Sequence, residues 1–102
     1  MLLLLAGLAA AADPAAGKAL YAANCTACHG VTGDGKGPAA IALKPKPGDF
    51  TSSAYWVGKT DGGLGAVITG GKPGTPMTAF TQFSEVEVAN LVAYLRTLAP
   101  AP

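Results

Sequence analysis

The feature that most constrains this chain is its shortage of large apolar side chains. Of the 90 residues from Asp13 to Pro102, 22 are large and apolar, whereas 21 are glycine or proline. A domain of roughly this length buries only just enough surface to be stable. So few large side chains are therefore not expected to close a core by themselves. The composition predicts that something other than side chains fills part of the interior.

The net charge and the length of the chain exclude several classes of function. The 102 residues include seven Lys or Arg and six Asp or Glu, for a net charge of +1. Nucleic-acid binding needs a strongly basic surface, which such a balance does not supply. No internal repeat is visible, and the length allows one domain. We therefore expect one small monomeric domain with no nucleic-acid partner.

The segment 1–12, MLLLLAGLAAAA, is an apolar run that stops before Asp13. As a helix, the eleven residues after Met1 would be about 16 Å long, roughly half the thickness of the hydrocarbon layer of a membrane. It matches the apolar part of a secretory signal peptide with an Ala-x-Ala cleavage site, although no basic residue precedes it. We expect a short or truncated signal peptide at 1–12, a mature domain at 13–102 and export, to the periplasm or elsewhere outside the cytoplasm. The mature chain is then not expected to insert stably into a membrane, and a buried or disordered N-terminal segment is the alternative.

Residues typical of helix N-termini, together with the spacing of the apolar residues, predict helices and no strands. Residues 14–24 are Ala-rich with Pro near the first turn, and a second helix follows Thr60-Asp61 as far as Gly70. A capping box at Ser84 and Glu87 begins the clearest helix. Its apolar stripe is Val88, Leu91, Val92, Leu95 and Leu98. The sequence predicts an all-α fold of three to four short helices, with a long loop over most of 30–59 that needs a template to wrap.

The most informative motif is Cys25-Thr26-Ala27-Cys28-His29, the C-x-x-C-H signature of covalent haem attachment. Two thiols at this spacing can each add to one of the two vinyl groups of a porphyrin, and the next residue, His29, then reaches the iron. A disulfide in so tight a loop is strained, and a thioredoxin-like pair needs a βαβ context. A zinc site needs a fourth ligand. The motif therefore favours one covalent haem c, with its iron, as the missing part of the core.

With this motif in place, the sequence resembles the small bacterial mono-haem class I c-type cytochromes from Gly17 to Leu98. In that family a glycine and an aromatic residue precede the first haem cysteine by eight and four positions, as Gly17 and Tyr21 do here. The family packs them against a leucine and an aromatic residue of the C-terminal helix, which Leu91 and Tyr94 match. The resemblance implies a cytochrome c fold wrapped around one covalent haem and a function in electron transfer.

The resemblance also implies the second axial ligand. Beyond the leader the chain contains one histidine, His29, and one methionine, Met77. Met77 lies in GTPMTAF, which resembles the methionine loop of the family, and Pro73 and Pro76 restrict the backbone there. Ligation by His29 and Met77 would give a higher reduction potential than more strongly donating ligands would, and it would fill both axial positions of the iron.

Weaker expectations concern residues around the cofactor. By resemblance, the carbonyl of Pro38 accepts a hydrogen bond from Nδ1–H of His29, although a plain turn proline is the alternative. Trp56 can donate its indole N–H to a haem propionate or simply pack in the core, and Tyr55 can replace it in the first role. Lys72, near the methionine loop, is a candidate for meeting an acidic partner at the haem edge.

These residues indicate an electron-transfer protein rather than an enzyme. No catalytic triad, carboxylate pair or phosphate loop is present in the sequence. The expected partners are redox proteins that donate and accept one electron. Two alternatives remain: a haem subunit or domain of a larger oxidoreductase, and a peroxidase-like enzyme or gas sensor. The last requires that Met77 leave the iron open.

Overall fold

A computed structural model describes residues 11–101, so most of the expected signal peptide at 1–12 lies outside the described residues. Within 11–101 the regular secondary structure is helical, with no strand. In chain order the helices are α1 (Pro14–Asn24), α2 (Thr26–His29), a 3-10 turn (Ala40–Ala42), α3 (Ser53–Trp56), α4 (Asp61–Gly70) and α5 (Glu85–Leu98). The all-α fold with long connections is confirmed. The α-helices number five over this range because α2 and α3 are single turns of four residues, and α3 lies in the stretch predicted as loop.

Each of the three longer helices begins after a residue whose side chain caps it, as the sequence predicts for α4 and α5. Asp13 accepts hydrogen bonds from two N–H groups of the first turn of α1, at 2.9 and 3.3 Å. The hydroxyl of Thr60 accepts one at the start of α4, at 3.0 Å. Ser84 and Glu87 form the capping box of α5, with bonds of 3.1 and 2.9 Å. Each cap satisfies N–H groups that a helix terminus otherwise leaves without a partner.

Helices α1 and α5 cross in close contact at Gly17. A Cβ placed on Gly17 would overlap the carbonyl of Asn90 and would lie 2.9 Å from Cβ of Tyr94. Beside this crossing, the rings of Tyr21 and Tyr94 lie 5.2 Å apart at an angle of 56°. Tyr21 and Leu91 are both 1% exposed. The predicted glycine–aromatic contact between the first and last helices is therefore present.

This crossing predicts that one added methyl group destabilises the fold. We expect Gly17→Ala to lower the free energy of unfolding of the haem-loaded protein by about 1–3 kcal/mol, the usual range for overpacking. Gly62→Ala in α4 is the matched control, since its Cβ would meet nothing within 4 Å. That variant should gain about 0.5–1 kcal/mol from helix propensity. Guanidinium titrations of both variants measure the difference, and equal midpoints would contradict the close approach at Gly17.

No helix within residues 11–101 has both the length and the hydropathy that crossing a membrane requires.

Candidate functional site

The four residues predicted to attach the haem and to ligate its iron meet at one cavity. It has a volume of about 620 Å³ and lies between the helices and the loops at 43–48 and 72–78. This volume is in the range typical of small-molecule and cofactor sites. The residues that the sequence singled out for haem attachment and iron ligation, Cys25, Cys28, His29 and Met77, all line it.

The buried apolar core is built around this cavity. Of the seven residues in the buried cluster of the described chain, six also line the cavity, and Val92 is the exception. The six are Tyr21, Phe50, Leu64, Ile68, Leu91 and Leu95. Together these side chains enclose the part of the interior that, from the composition, we expect something other than side chains to fill.

Helix α2 holds the two cysteines close together, Cys25 as its N-cap and Cys28 within its single turn. Cys25 precedes its first residue, and the backbone N–H of His29 donates to the carbonyl of Cys25 at 2.9 Å. Both cysteines are free thiols. Burial, reinforced by the nearby Cys28, raises the pKa of the Cys25 thiol to about 11. Gly30 then ends the helix at φ +85°, a conformation that glycine adopts without strain, and its carbonyl accepts a 2.6 Å bond from the Tyr21 hydroxyl.

His29 is held as a neutral imidazole. Its Nδ1 lies 3.1 Å from the carbonyl oxygen of Gly48. Because a carbonyl oxygen can only accept, Nδ1 carries the proton and Nε2 keeps its lone pair. Burial lowers the pKa of His29, although the bond to Gly48 acts in the opposite direction. A neutral ring with one nitrogen free is the form that ligates iron.

The expectation for Pro38 is corrected by this contact, because the acceptor is Gly48 rather than Pro38. Pro38 is exposed. The residues on either side of it direct their N–H groups to α2: Gly37 donates to the carbonyl of Cys28 at 3.1 Å and Ala39 to that of Ala27 at 2.9 Å. The segment around Pro38 thus satisfies backbone groups of α2, and the later loop supplies the partner of the imidazole.

Trp56 packs against the buried core, the second of the two roles expected for it. Its indole N–H donates to the backbone carbonyl of Phe50 at 2.8 Å, and its side chain does not line the cavity. The donor expected for a propionate is therefore already used within the chain. Tyr55, the alternative, does line the cavity. Burial raises its pKa, so its hydroxyl stays protonated and able to donate.

The loop that carries Met77 is tied at both ends. The N–H of Lys72 donates to the Met77 carbonyl at 3.1 Å, and the N–H of Phe80 donates to the carbonyl of Ile68 at 2.8 Å. Met77 itself donates its N–H to the Thr75 hydroxyl at 3.2 Å. These bonds fix the backbone around Met77, which suits a thioether because it is a weak ligand that benefits from being held in place.

The charged side chains at the cavity are basic. Lys46, Lys59 and Lys72 line it, and no Asp or Glu of the described chain does. Lys59 Nζ lies 4.6 Å from the centroid of the Tyr55 ring. Lys46 and Lys59 were not predicted as site residues, because isolated lysines in loops carry no signal that separates them from a solvated surface.

A haem c fits this set of groups. The cavity offers two free thiols, a neutral imidazole and a thioether, while the lysines can face the two propionates. Residues 11–101 contain no group of three or more His, Cys, Asp or Glu that could hold a bare metal ion. The donor set therefore suits an iron porphyrin, with few side-chain ligands, better than an ion bound by side chains alone.

Comparison with known proteins agrees with this chemistry. The model of the cytochrome c family matches residues 14–99. The chain is 36% identical over 95 residues to cytochrome c-554(547) of Halothiobacillus neapolitanus, an alignment that covers 86% of this chain and 99% of that protein.

Three solved structures share the fold at sequence identities of 26%, 27% and 30%. KustC0563 c-type cytochrome superposes with a TM-score of 0.68 and 26% identity, over 82% of this chain and 98% of that one. Two larger chains contain a similar part. In the Kuenenia stuttgartiensis reducing HAO-like protein complex Kustc0457/Kustc0458, the match covers 82% of this chain and 41% of that one, with a TM-score of 0.72 and 27% identity. In the dihydro-heme d1 dehydrogenase NirN in complex with DHE, it covers 85% and 16%, with a TM-score of 0.65 and 30% identity.

Proposed function

The chain belongs to the cytochrome c family, and we propose that Cys25 and Cys28 attach its haem c while His29 and Met77 ligate the iron. The protein is an electron-transfer protein that carries covalently bound haem c. The observation that supports the assignment of residues is their convergence on one cavity whose walls are the buried core.

When bound, the haem supplies an iron centre that accepts and releases one electron. The two cysteines hold it covalently at α2. Gly48 fixes the imidazole of His29 through Nδ1, and the hydrogen bonds around Met77 hold the thioether in its loop. With the haem filling the cavity, the apolar walls would keep water from its buried face and limit how much the surroundings must reorganise when the charge changes.

A carrier is favoured over an enzyme because His29 and Met77 would fill both axial positions and leave no place for a substrate. The alternative of a haem subunit in a larger complex is supported by the solved chains, of which the match spans 41% and 16%. The alternative of an open-iron enzyme or gas sensor depends on Met77 lying away from the iron.

The partners are proposed to be redox proteins with an acidic docking surface. Lys72, an exposed cation beside the methionine loop at the edge of the cavity, supports this proposal, because electrostatic complementarity favours a negative surface opposite it. The C-x-x-C-H motif, the apolar segment 1–12 and the bacterial relative support export to the periplasm. We further propose that residues 13–102 form the mature domain and that it is a monomer.

The proposal is tested on the haem-loaded wild-type protein. We expect a weak red charge-transfer band in the oxidised spectrum, a reversible titration with one electron per chain, and no binding of carbon monoxide after reduction. Carbon monoxide binding without the red band would exclude ligation by Met77 and favour the open-iron alternative. Stoichiometric co-purification with a larger redox enzyme would favour the subunit over the free carrier.

A further inference from the structure

The ring of Phe50 lies against His29. Their ring centroids are 4.6 Å apart and their planes differ by 22°, a stacked arrangement. Phe50 is 5% exposed and follows two residues after Gly48, whose carbonyl takes the Nδ1–H bond. The short segment 48–50 therefore contacts one imidazole twice, at its edge through a carbonyl and on its face through a ring.

The two contacts constrain different motions. The bond to Gly48 fixes the direction in which Nδ1 of His29 points, and a partner of this kind orients a ligating histidine. The stacked ring of Phe50 opposes rotation of the imidazole out of its plane, because that rotation would break the aromatic contact. Together they define the orientation of the imidazole about its Cβ–Cγ bond.

Phe50 is itself held from several sides. Its N–H donates to the carbonyl of Gly33 at 2.7 Å, and its carbonyl accepts the indole N–H of Trp56 at 2.8 Å. Its ring and that of Tyr55 form a T-shaped pair, with centroids 5.0 Å apart and planes at 78°. The Arg96 guanidinium lies 5.1 Å from the Trp56 ring. Because the ring of Phe50 is fixed in this way, it restricts the orientation of the imidazole stacked on it.

We propose that Phe50 is a positioning residue that sets the plane of the His29 imidazole and the strength of its bond to Gly48, and that Trp56 secures Phe50 in that role. The inference rests on the proposed ligation of the iron by His29. A hydrogen bond from Nδ1 makes an imidazole a stronger donor to its metal. Loosening the imidazole weakens that bond, favours the reduced iron and raises the reduction potential.

The test replaces Phe50 by leucine in the haem-loaded protein. Phe50→Leu keeps an apolar side chain but removes the stacked ring. We expect a changed pattern of paramagnetically shifted haem methyl resonances in the oxidised protein, since these shifts report the imidazole plane, together with a raised midpoint potential. Phe83→Leu is the matched control, because Phe83 stacks on Phe80 at 5.6 Å and does not line the haem cavity. It should lose thermal stability but keep the wild-type shift pattern and potential.

A second variant keeps the test decisive if Phe50→Leu does not fold. Trp56→Phe retains an aromatic ring but removes the donor to the Phe50 carbonyl, and we expect a smaller change of the same sign in both readouts. Phe50→Leu and Trp56→Phe are each compared with Phe83→Leu. If every test variant that folds has the same methyl shifts and the same midpoint potential as this control, the positioning role is overturned. A wild-type protein without the spectrum of His/Met ligation would instead overturn the proposed function, and that result appears before any variant is made.

Discussion

Replacing both Cys25 and Cys28 by alanine is expected to leave the mature chain without a cooperative unfolding transition. Without thioethers nothing covalent retains the haem, and six buried core residues then face an empty cavity of about 620 Å³. A dry cavity of that size would cost about 15 kcal/mol at roughly 24 cal/mol per Å³. Water entering the open side lowers this figure, but a domain is stable by only about 5–15 kcal/mol in total. Even a third of this cost, about 5 kcal/mol, equals the lower end of that range, and the full cost equals its upper end.

The measurement is a urea titration of the double variant, followed by near-ultraviolet circular dichroism, with the Soret band confirming that no haem is bound. Cys28→Ala alone is the control, because one thioether remains and should keep the haem and the sharp transition. A cooperative transition in the haem-free double variant would show that the 22 large apolar residues suffice for a core, contrary to the composition argument.

The parts of the fold that the sequence predicts are those specified by local signals. A cap acts on N–H groups within three residues, so Thr60 and Ser84 mark the starts of α4 and α5 correctly, and Pro14 marks that of α1. The haem motif is local as well, since its thiols are three residues apart. Gly17 is different: its long-range contact with α5 was predictable only because the family resemblance supplied the partner helix.

The partner of His29 shows where sequence reasoning fails. Gly48 is 19 residues away and acts through its backbone carbonyl. Every residue has a carbonyl, so the residue type at position 48 gives no signal of this role, and the resemblance pointed instead to Pro38. For a related reason the sequence could not decide between the two roles expected of Trp56, because an indole N–H needs an acceptor but the sequence does not say which one. Here the acceptor is the Phe50 carbonyl.

Replacing Met77 by alanine is expected to change the redox chemistry more than any other single substitution. A thioether is a soft ligand that favours reduced iron, whereas water in its place favours oxidised iron. We expect the red charge-transfer band to disappear and the midpoint potential to fall by on the order of 100 mV or more, since axial ligands tune haem potentials over about 0.8 V. The reduced variant should bind carbon monoxide, which the wild type should not.

Two further variants separate loss of the ligand from damage to the loop. Thr78→Ala changes the next residue, which is exposed and also lines the cavity, and should retain the red band and a potential close to that of the wild type. Met77→His should fill the axial position again, block carbon monoxide and still show the lowered potential without the red band, because the sulfur is gone. If Met77→Ala kept both the band and the wild-type potential, another group would have to be the axial ligand. Because the red band requires a sulfur ligand and residues 13–102 contain no other methionine, that ligand would have to come from outside residues 13–102.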